Sequence, residues 1–589
     1  MKVGYFIAKR LNELGVTKVY GMVGGSASAI NDGFFRCPGI EFISFHHEQG
    51  AGHAAVGSAR TNNKISVCNV TAGCGVSNAI TSLLNAYEES VPVLFISGSP
   101  PIKSQAKYIN EEKGIKLRKY GIQDFDTIKT VEHITKYSIT IKNAEDVPYE
   151  LDKAVHIALS GRPGPVWIDV PGNIQGALIP SEYKVFQAEK IIENKIDFSS
   201  VFETIQQSKR PLVIAGNGIR LGDCQKDFGN FVDTYKIPFV TTFLSKDLIE
   251  YDHPQNIGML GVKGSRSANF AMQNSDCLIV LGSSMNITHT GYDPKTFSPY
   301  SKKIVVDIDE NELKKETFNI DMPIHCDVKQ FFNASQKYEG KFDLDWWNEK
   351  CIHWKNKWPI YNPDIHSSDE GGLNLYEIVE SINRNMKSGD CIIVDAGQPC
   401  YVLSSNGKYK QDCRFMTQAS QGDMGYSIPA CVGVHFANPK LNPIIVIGEG
   451  SLHTNMQELS VIKKHNIPVK IFVINNDGYL CIKQTQDKFF EGRRWGVSES
   501  TGVYFADICK IADTFELDYY KVDNNKDLYD LIPIINDKPY PIIIECMSQT
   551  ELDVLPAQGF KPDGSQGGLH EMLPLLSEEE LKQEMIVEI

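Results

Sequence analysis

The chain has 589 residues, of which 42% are hydrophobic and 22% charged, and its mean hydropathy is −0.24. Because this length exceeds what one hydrophobic core usually serves, we expect a globular protein of about three domains rather than a disordered or fibrous chain. The net charge of −14 disfavours nucleic acid and anionic membranes as partners.

No apolar run approaches the roughly 18 residues of a membrane span, and the start lacks the apolar stretch of a signal peptide. We therefore expect a cytoplasmic protein with no membrane segment. The 14 cysteines are scattered along the chain, which predicts buried free thiols rather than a disulfide framework.

Strand-like and helix-like patterns alternate along the whole chain, which is typical of α/β domains. The pattern divides the chain into blocks of residues 1–180, 200–340 and 373–550, followed by a C-terminal tail of residues 551–589. We predict an α/β fold in which each block forms one doubly wound parallel sheet.

Short apolar runs rich in β-branched residues predict the buried strands of these sheets. The predicted strands are Ile65–Val70, Val93–Gly98, Pro165–Val170, Leu212–Ala215, Cys277–Gly282, Lys303–Asp309, Cys391–Asp395, Pro443–Ile447, Val469–Asn475 and Pro541–Cys546.

Glu48 stands at the predicted start of a helix that follows a strand at Glu41–Phe45. Its neighbours along the chain include Gly and Ala rather than other charges, so its side chain suits a tight interface. A lone glutamate at a helix start is more commonly a partner of the helix dipole. The residues alone leave both interpretations open.

Two segments of the third block follow consecutive strands. They are residues 448–451 (Gly-Glu-Gly-Ser) and 475–479 (Asn-Asn-Asp-Gly-Tyr). A right-handed βαβ unit places both segments at the carboxyl edge of the sheet, where α/β sheets bind ligands. The Glu449 carboxylate, the Asn476 amide oxygen and the Gly478 carbonyl would then converge as the oxygen ligands that Mg²⁺ prefers.

The same segments suit a phosphate group. Gly450 lets the backbone approach a phosphate, and Ser451 adds a hydroxyl near a helix N-terminus that we predict close to Asn455. A simple glycine turn with a solvated Glu449 is the alternative for the first segment alone, and the second segment at this distance argues against it.

These paired segments resemble those of thiamine diphosphate (ThDP) enzymes, whose motif starts with Gly-Asp-Gly and ends in Asn-Asn. Glu449 stands where that family has Asp. Residues 46–53 (His-His-Glu-Gln-Gly-Ala-Gly-His) are similar to the acetolactate synthase pattern, and the resemblance extends over nearly the whole chain. It implies that Glu48 bonds N1′ of the aminopyrimidine and favours the imino tautomer, whose 4′-nitrogen removes the thiazolium C2 proton.

Further segments resemble the cofactor and substrate loops of the family. The resemblance implies that Gln123 lies beside the reacting substrate. It also implies cofactor contacts for Gly25, Gly397, Gln398, Gly422, Met424, Gly450, Ser451, Asn476 and Tyr479. Among these, the Gly422 carbonyl would hold the 4′-amino group and Met424 would support the bent form of the cofactor.

The architecture of the family implies pyrimidine-binding, central and diphosphate-binding domains in this order, with ThDP and Mg²⁺ as cofactors. Family active sites form between two subunits. We therefore expect a homodimer or homotetramer in which Glu48 acts on a cofactor held by residues 390–480 of another copy.

The central block departs most from the family. Residues 282–291 align with a FAD-binding pattern whose two arginines are replaced by Ser284 and Thr288, while Arg162 matches another flavin-contacting arginine. A flavin diphosphate normally needs fixed cations. We therefore predict that FAD is bound weakly, differently or not at all.

The leading hypothesis is a ThDP- and Mg²⁺-dependent enzyme that decarboxylates a 2-oxo acid, pyruvate by resemblance, and passes the acyl carbanion to a carbonyl acceptor. The acceptor is a second 2-oxo acid or a sugar ketone. The sugar alternative, C-acetylation of a ketosugar nucleotide, comes from a resemblance of residues 478–486 and 563–574 to synthase-like proteins of bacterial surface-polysaccharide pathways.

Two other classes remain as alternatives. Residues 215–220 (Ala-Gly-Asn-Gly-Ile-Arg) follow a strand and suggest a nicotinamide oxidoreductase, but the Gly-x-Gly-x-x-Gly spacing is not met. A non-catalytic ThDP-binding subunit is the other alternative, and Glu48 argues against it because binding alone needs no proton relay.

Overall fold

The computed structural model describes residues 1–188, 196–418, 420–560 and 564–588. Within these ranges, three six-stranded parallel sheets follow one another along the chain. Hydrophobic cores flank each sheet, and helices cover them. The predicted α/β fold with three doubly wound parallel sheets is confirmed.

The N-terminal sheet has the strand order β2-β1-β3-β4-β6-β5. Its strands are β1 (Lys18–Gly21), β2 (Glu41–Ser44), β3 (Ser66–Val70), β4 (Val93–Ser99), β5 (Tyr137–Thr140) and β6 (Val166–Pro171). Its helices are α1 (Val3–Glu13), α2 (Ser28–Arg36), α3 (Glu48–Asn62), α4 (Cys74–Glu88), α5 (Ala106–Lys113), α6 (Thr127–Val131), α7 (Val147–Leu159) and α8 (Gly172–Gln175).

The central sheet has the order β12-β11-β10-β7-β8-β9. Its strands are β7 (Pro211–Ala215), β8 (Phe239–Thr241), β9 (Asn256–Met259), β10 (Cys277–Leu281), β11 (Lys302–Asp307) and β12 (Met322–His325). Its helices are α9 (Ser199–Gln207), α10 (Gly218–Leu221), α11 (Gln225–Tyr235), α12 (Arg266–Asn274), α13 (Ile287–Thr290), α14 (Glu310–Lys314) and α15 (Val328–Ser335). Residues 341–372, which we call the connector, join the central domain to the C-terminal domain and contain α16 (Asp345–Lys357) and α17 (Pro363–His366).

The C-terminal sheet has the order β14-β13-β15-β16-β18-β17. Its strands are β13 (Asp390–Val394), β14 (Arg414–Thr417), β15 (Asn442–Gly448), β16 (Lys470–Asn475), β17 (Asp518–Val522) and β18 (Ile542–Met547). Its helices are α18 (Leu375–Asn385), α19 (Gln398–Asn406), α20 (Ser427–Ala437), α21 (Glu449–Asn455), α22 (Leu459–Lys464), α23 (Leu480–Phe489), α24 (Ile508–Thr514) and α25 (Asn525–Ile535).

The prediction of a helix starting near Asn455 was wrong. Helix α21 begins at Glu449, directly after β15, and ends at Asn455. Ser451 therefore lies in the first helical turn and not in a loop before the helix.

The C-terminal tail packs against the central domain. It contains β19 (Ala557–Gln558), β20 (Met572–Leu573) and α26 (Glu578–Glu584). Leu569 and Met572 are buried, and Arg266 of α12 donates a hydrogen bond to the Pro574 carbonyl at 2.6 Å. Residues 561–563, which include the start of the tail segment compared with the polysaccharide proteins, lie outside the described residues.

The N-terminal and C-terminal domains meet through α3 and α20, which approach closely at two glycines. A Cβ atom added at Gly57 would lie 2.5 Å from the Ala430 carbonyl oxygen, and one added at Gly433 would lie 1.9 Å from that of Ala54. Both glycines are therefore required by the helix contact.

The fourteen cysteines are free, and eleven of them are buried as predicted. The prediction of burial was wrong for Cys74, which is exposed, and for Cys481 and Cys509, which are partly exposed. Among the helices of the described ranges, none is long and apolar enough to cross a membrane.

Candidate active site

Glu48 is the first residue of α3, where the chain leaves the carboxyl end of β2. Its side chain is buried, and its Oε2 accepts a hydrogen bond from Asn78 Nδ2 on α4 at 3.0 Å. His47 caps the helix, because its Nδ1 accepts a hydrogen bond from the Gln49 backbone at 3.1 Å. The sequence contained no signal for Asn78, which holds the Glu48 carboxylate.

Gln123 lies on the same side of α4 as this glutamate. Its amide nitrogen lies 3.8 Å from Cys74 Sγ, one helical turn before Asn78, and its backbone has a φ of +54°. The Gly25 turn reaches the same region, since a Cβ at the preceding Gly24 would contact Thr71 and one at Gly75 would lie near both Thr71 and Glu48. The structure thus gathers Glu48, Gln123 and Gly25 around the ends of β1 and β3.

In the C-terminal domain, Glu449 bonds the turn that follows β16. Its Oε1 accepts hydrogen bonds from the backbone nitrogens of Gly478 at 2.6 Å and Asn476 at 3.2 Å. Burial raises the pKa of Glu449 to about 7, although these backbone donors act in the opposite direction. The two segments therefore converge at the sheet edge.

Asn476 presents a buried oxygen to this site. Its Oδ1 has no hydrogen-bond partner within the described ranges. A buried amide oxygen without a partner carries a desolvation cost that a bound ligand can relieve. Gly478 adopts a φ of +124°, where any side chain would be strained, and a Cβ there would also strike the Val497 carbonyl.

A contact that the sequence did not predict explains why residue 450 is a glycine. A Cβ at this position would lie 2.2 Å from Cε1 of Tyr479, so the tyrosine ring lies directly over the glycine. Ser451 is buried in the same helical turn. Gly450, Ser451 and Tyr479 thus lie together beside Glu449.

Asp395 orders the loop that carries Gly422 and Met424. Its carboxylate accepts hydrogen bonds from the backbone nitrogens of Gly425 at 2.7 Å and Ser427 at 2.6 Å. Burial raises the pKa of Asp395 to about 6, and these donors oppose the rise. Met424 is 39% exposed, so its side chain is accessible to a ligand.

Gly397 and Gln398 join β13 to α19. Gln398 Nε2 donates to the Leu552 carbonyl at 2.5 Å, while its Oε1 is buried without a partner among the described residues. The Leu552 carbonyl also accepts a hydrogen bond from Gln484 of α23 at 2.7 Å.

Direct hydrogen bonds do not connect the Glu48 group with the Glu449 group among the described residues. In the part of the chain that the structure describes, no hydrogen bond joins Glu48 or Gln123 to Gln398, Glu449 or Asn476. The domains are instead linked by Glu458, whose carboxylate accepts a hydrogen bond from the His46 backbone at 3.2 Å. We propose below that the two groups are half-sites of one active site.

A cleft of about 1020 Å³ of empty space, open solvent included, lies at the carboxyl edge of the central sheet. Ser284, Thr288 and Arg162 line it. The Arg162 guanidinium is already bound to Glu312 at 2.8 Å and Asp309 at 3.2 Å. The carboxylate residues that line the cleft are Glu88, Glu89, Asp307, Glu312 and Asp327.

These residues do not fit a flavin diphosphate. An anionic ligand needs cations or aligned backbone donors. The titratable residues of this cleft are one arginine that is already engaged, His289, whose pKa burial lowers to about 4, and five acidic residues. The nicotinamide alternative depended on Gly216 and Gly218. Both glycines pack against Gly282, and a Cβ at Gly216 would lie 2.1 Å from the Gly282 carbonyl oxygen, so packing between the two loops accounts for them.

Comparison with known proteins identifies the family. Three family models match the chain: the thiamine pyrophosphate enzyme N-terminal TPP binding domain at residues 1–129, the central domain at 198–334 and the C-terminal TPP binding domain at 395–546. The chain belongs to the thiamine pyrophosphate enzymes. Thiamine pyrophosphate is the same compound as ThDP.

Similar proteins extend the match over nearly the full length. The acetolactate synthase large subunit of Lactococcus lactis is 30% identical over 560 residues, which cover 93% of each chain. Escherichia coli acetolactate synthase isozyme 1 large subunit is 29% identical over 94% of each chain, and a probable acetolactate synthase large subunit of Methanocaldococcus jannaschii is 28% identical over 95% of this chain and 94% of its own.

The resemblance and the enzyme class predicted from the sequence are therefore confirmed. The protein is a ThDP-dependent carboligase of the acetolactate synthase type. Neither the nicotinamide alternative nor the ketosugar alternative is supported by these comparisons.

Proposed function

We propose that the enzyme takes pyruvate as donor, releases CO₂ and joins the remaining two-carbon unit to a second 2-oxo acid. The observation that carries this proposal is the buried pair of Glu48 with a neutral amide, Asn78. A binding module needs no such carboxylate, whereas proton movement on a thiamine ring requires one. The full-length similarity to acetolactate synthase large subunits supports the same assignment.

Mg²⁺ is the metal that the Glu449 cluster suits best. No group of three or more His, Cys, Asp or Glu side chains is arranged for a metal within the described ranges. A site with a single carboxylate, an amide oxygen and a backbone carbonyl is instead typical of Mg²⁺ that shares its remaining positions with phosphate and water. The unpartnered Asn476 Oδ1 supports this fit.

The residues around Glu449 also fit the diphosphate of ThDP. We assign Gly397, Gln398, Gly450, Ser451 and Tyr479 to its binding. Gly422 and Met424, on the loop ordered by Asp395, would hold the aminopyrimidine in its bent position. When bound, ThDP supplies the electrophilic centre that accepts the electron pair released when CO₂ leaves a 2-oxo acid.

Glu48 and Gln123 supply the other half of the site, and Gly25 joins them. We assign to Glu48 the task of holding a proton at its carboxylate and moving it to and from the pyrimidine nitrogen. Asn78 fixes the orientation of that carboxylate. Gln123 would position the substrate from the loop opposite Cys74.

The two halves imply a homo-oligomer with active sites between subunits. The loop that carries Gln123 exposes three large apolar side chains: Tyr120 is 61% exposed, Ile122 85% and Phe125 38%. Contiguous exposed apolar side chains mark interaction surfaces. Contact with the diphosphate half of a second copy would cover them and complete the site.

A reaction test separates this function from its alternatives. Protein is mixed with pyruvate, ThDP and Mg²⁺, with and without 2-oxobutyrate or acetaldehyde, and products and CO₂ are followed by NMR and gas analysis. We expect CO₂ release and 2-hydroxy-3-oxo acid products that depend on both ThDP and Mg²⁺. Pyruvate left unchanged under these conditions would contradict the proposed donor.

A further inference from the structure

Lys263 is a partly buried lysine whose charge has no partner in the described structure. It lies on the loop after β9 of the central domain, and burial lowers its pKa. Its Nζ donates one hydrogen bond, to the Val554 carbonyl at 3.2 Å. Within the described ranges no carboxylate lies within ion-pair distance of it, so two of its three donors are free.

This ammonium group borders the diphosphate half-site. It lies 5.9 Å from the ring centroid of Tyr401, on the helix that begins at Gln398. The charged form of Lys263 is favoured by Cys481 and Asp553 and disfavoured by Lys488. Cys481 lies on α23, two residues after Tyr479. Lys263 therefore reaches from the central domain to the helices that flank the expected cofactor.

Backbone contacts fix the loop segment that precedes Lys263. The Val262 nitrogen donates to the Thr288 carbonyl at 2.9 Å, and the Val262 carbonyl accepts from the Gln558 nitrogen at 2.8 Å. Gly261 has a φ of +120°, and a Cβ there would lie 2.2 Å from the Thr288 carbonyl oxygen. Such preorganisation lowers the cost of binding a ligand.

Three other cations near the central and diphosphate-side loops are paired with carboxylates. Arg162 is bound to Glu312 and Asp309, and Lys315 is bound to Glu312 and to backbone carbonyls. Lys483 is directed to the Asp477 carbonyl. Lys483 also pairs with the Asp477 carboxylate at 3.6 Å, so among these cations Lys263 alone has no carboxylate partner within the described ranges.

We propose that Lys263 binds the carboxylate of the acceptor, the second 2-oxo acid, and so selects charged over neutral acceptors. This inference rests on the proposed function. A partly buried ammonium is costly without a counter-ion, and a carboxylate placed between its two free donors and Cys481 offsets that cost with charge-assisted hydrogen bonds. Lys263 forms no covalent bond and exchanges no proton in this role.

The test compares acceptors within one reaction. Wild type, Lys263→Met and Lys263→Arg receive pyruvate with an equal mixture of 2-oxobutyrate and acetaldehyde, and the ratio of the two ligated products is measured by NMR. Because both products come from the same active molecules, the ratio does not depend on how much protein is folded. Lys488→Met is the matched control for loss of a nearby positive charge.

We expect Lys263→Met to lower the ratio of acid-acceptor to aldehyde-acceptor product by about 10-fold or more and to raise KM for 2-oxobutyrate. With pyruvate as donor and acetaldehyde as the only added acceptor, the rate at which Lys263→Met forms the aldehyde-acceptor product should stay close to that of wild type. Lys263→Arg should keep most of the preference, and Lys488→Met all of it. An unchanged ratio in Lys263→Met would overturn the inference, and a wild type that leaves pyruvate unchanged would overturn the proposed function with it.

Discussion

At the scale of single residues, two buried carboxylates occupy equivalent positions in different domains. Each begins a helix near the end of a strand: Glu449 directly follows β15, and three residues separate Glu48 from β2. Glu48 faces a side-chain amide, whereas Glu449 accepts two backbone hydrogen bonds that use one of its oxygens. The first arrangement leaves a carboxylate available for proton movement, and the second leaves one oxygen free for a cation.

We predict that Glu48→Gln binds ThDP but loses turnover by roughly 10²–10⁴-fold, because an amide keeps the size and cannot move the proton. ThDP affinity is measured by calorimetry and turnover by CO₂ release. Glu111→Gln, an exposed substitution on α5, serves as the control. Near-normal pyruvate consumption by Glu48→Gln would rule out the assigned role.

We predict that Asn476→Ala weakens Mg²⁺ binding at least about 10-fold and weakens ThDP binding with it, because it removes an expected oxygen ligand. Glu449→Gln should do the same through loss of charge, and Glu449→Asp should retain the metal. Asp477→Asn, which removes a neighbouring exposed charge, is the control. Tight ThDP binding by chelator-treated wild type would refute the shared site.

At the scale of elements, helix starts at strand ends position the candidate residues. Helices α3, α19 and α21 begin at Glu48, Gln398 and Glu449.

The C-terminal helix α26 has a different role. It ties the tail to the connector through Glu584, which accepts hydrogen bonds from Lys350 and Lys357 of α16 at 2.9 Å each.

Stability of this tail contact should depend on pH. Burial would raise the pKa of Glu584 above its usual 4.5, yet hydrogen bonds from Lys350, His353 and Lys357 lower it to about 2. The contact thus contributes fully above about pH 4.5 and is lost as the pH falls toward 2.

We predict that Glu584→Gln lowers the free energy of local opening of α26 at pH 7 by about 1.5–3 kcal/mol, the range for hydrogen bonds to a charged group. Hydrogen exchange of residues 578–584 measures this opening. Glu579→Gln on the same helix should change it little. Equal protection of α26 in wild type at pH 7 and pH 3 would contradict the account.

The sequence predicted most strands in the interior of each sheet, because these strands are apolar runs rich in buried β-branched residues. Most strands that it did not identify lie at sheet edges, such as β12 and β17, where burial is partial and the apolar signal is weak. The Glu449 and Asn476 convergence followed from βαβ topology. Asn78, Asp395 and Lys263 could not be predicted, because their contacts cross elements far apart in the chain.

At the scale of the whole molecule, the central domain has the family fold without the charges that suit a flavin. Ser284 and Thr288 are neutral, and Arg162 is engaged by carboxylates. Loss of two charged contacts reduces diphosphate binding steeply, since each contributes about 1.5–3 kcal/mol. The ThDP half-sites do not involve this cleft.

We therefore predict that the purified protein lacks stoichiometric flavin and that added FAD does not change CO₂ release. An absorption spectrum of fresh protein, compared with that of free oxidised FAD, measures the flavin content. Stoichiometric flavin, with activity lost on its removal, would contradict the misfit of the cleft.

The central claim is that Glu48 and the Glu449–Asn476 cluster are halves of one active site contributed by two copies of the chain. Co-expressed Glu48→Gln and Asn476→Ala chains with different tags yield mixed dimers after two affinity steps. Each mixed dimer would contain one site with both substitutions and one with neither. At Mg²⁺ and ThDP concentrations that saturate wild type but not Asn476→Ala, we therefore expect about half of the wild-type CO₂ release, although each parent alone releases little CO₂. Mixed dimers as inactive as the parents would contradict the claim.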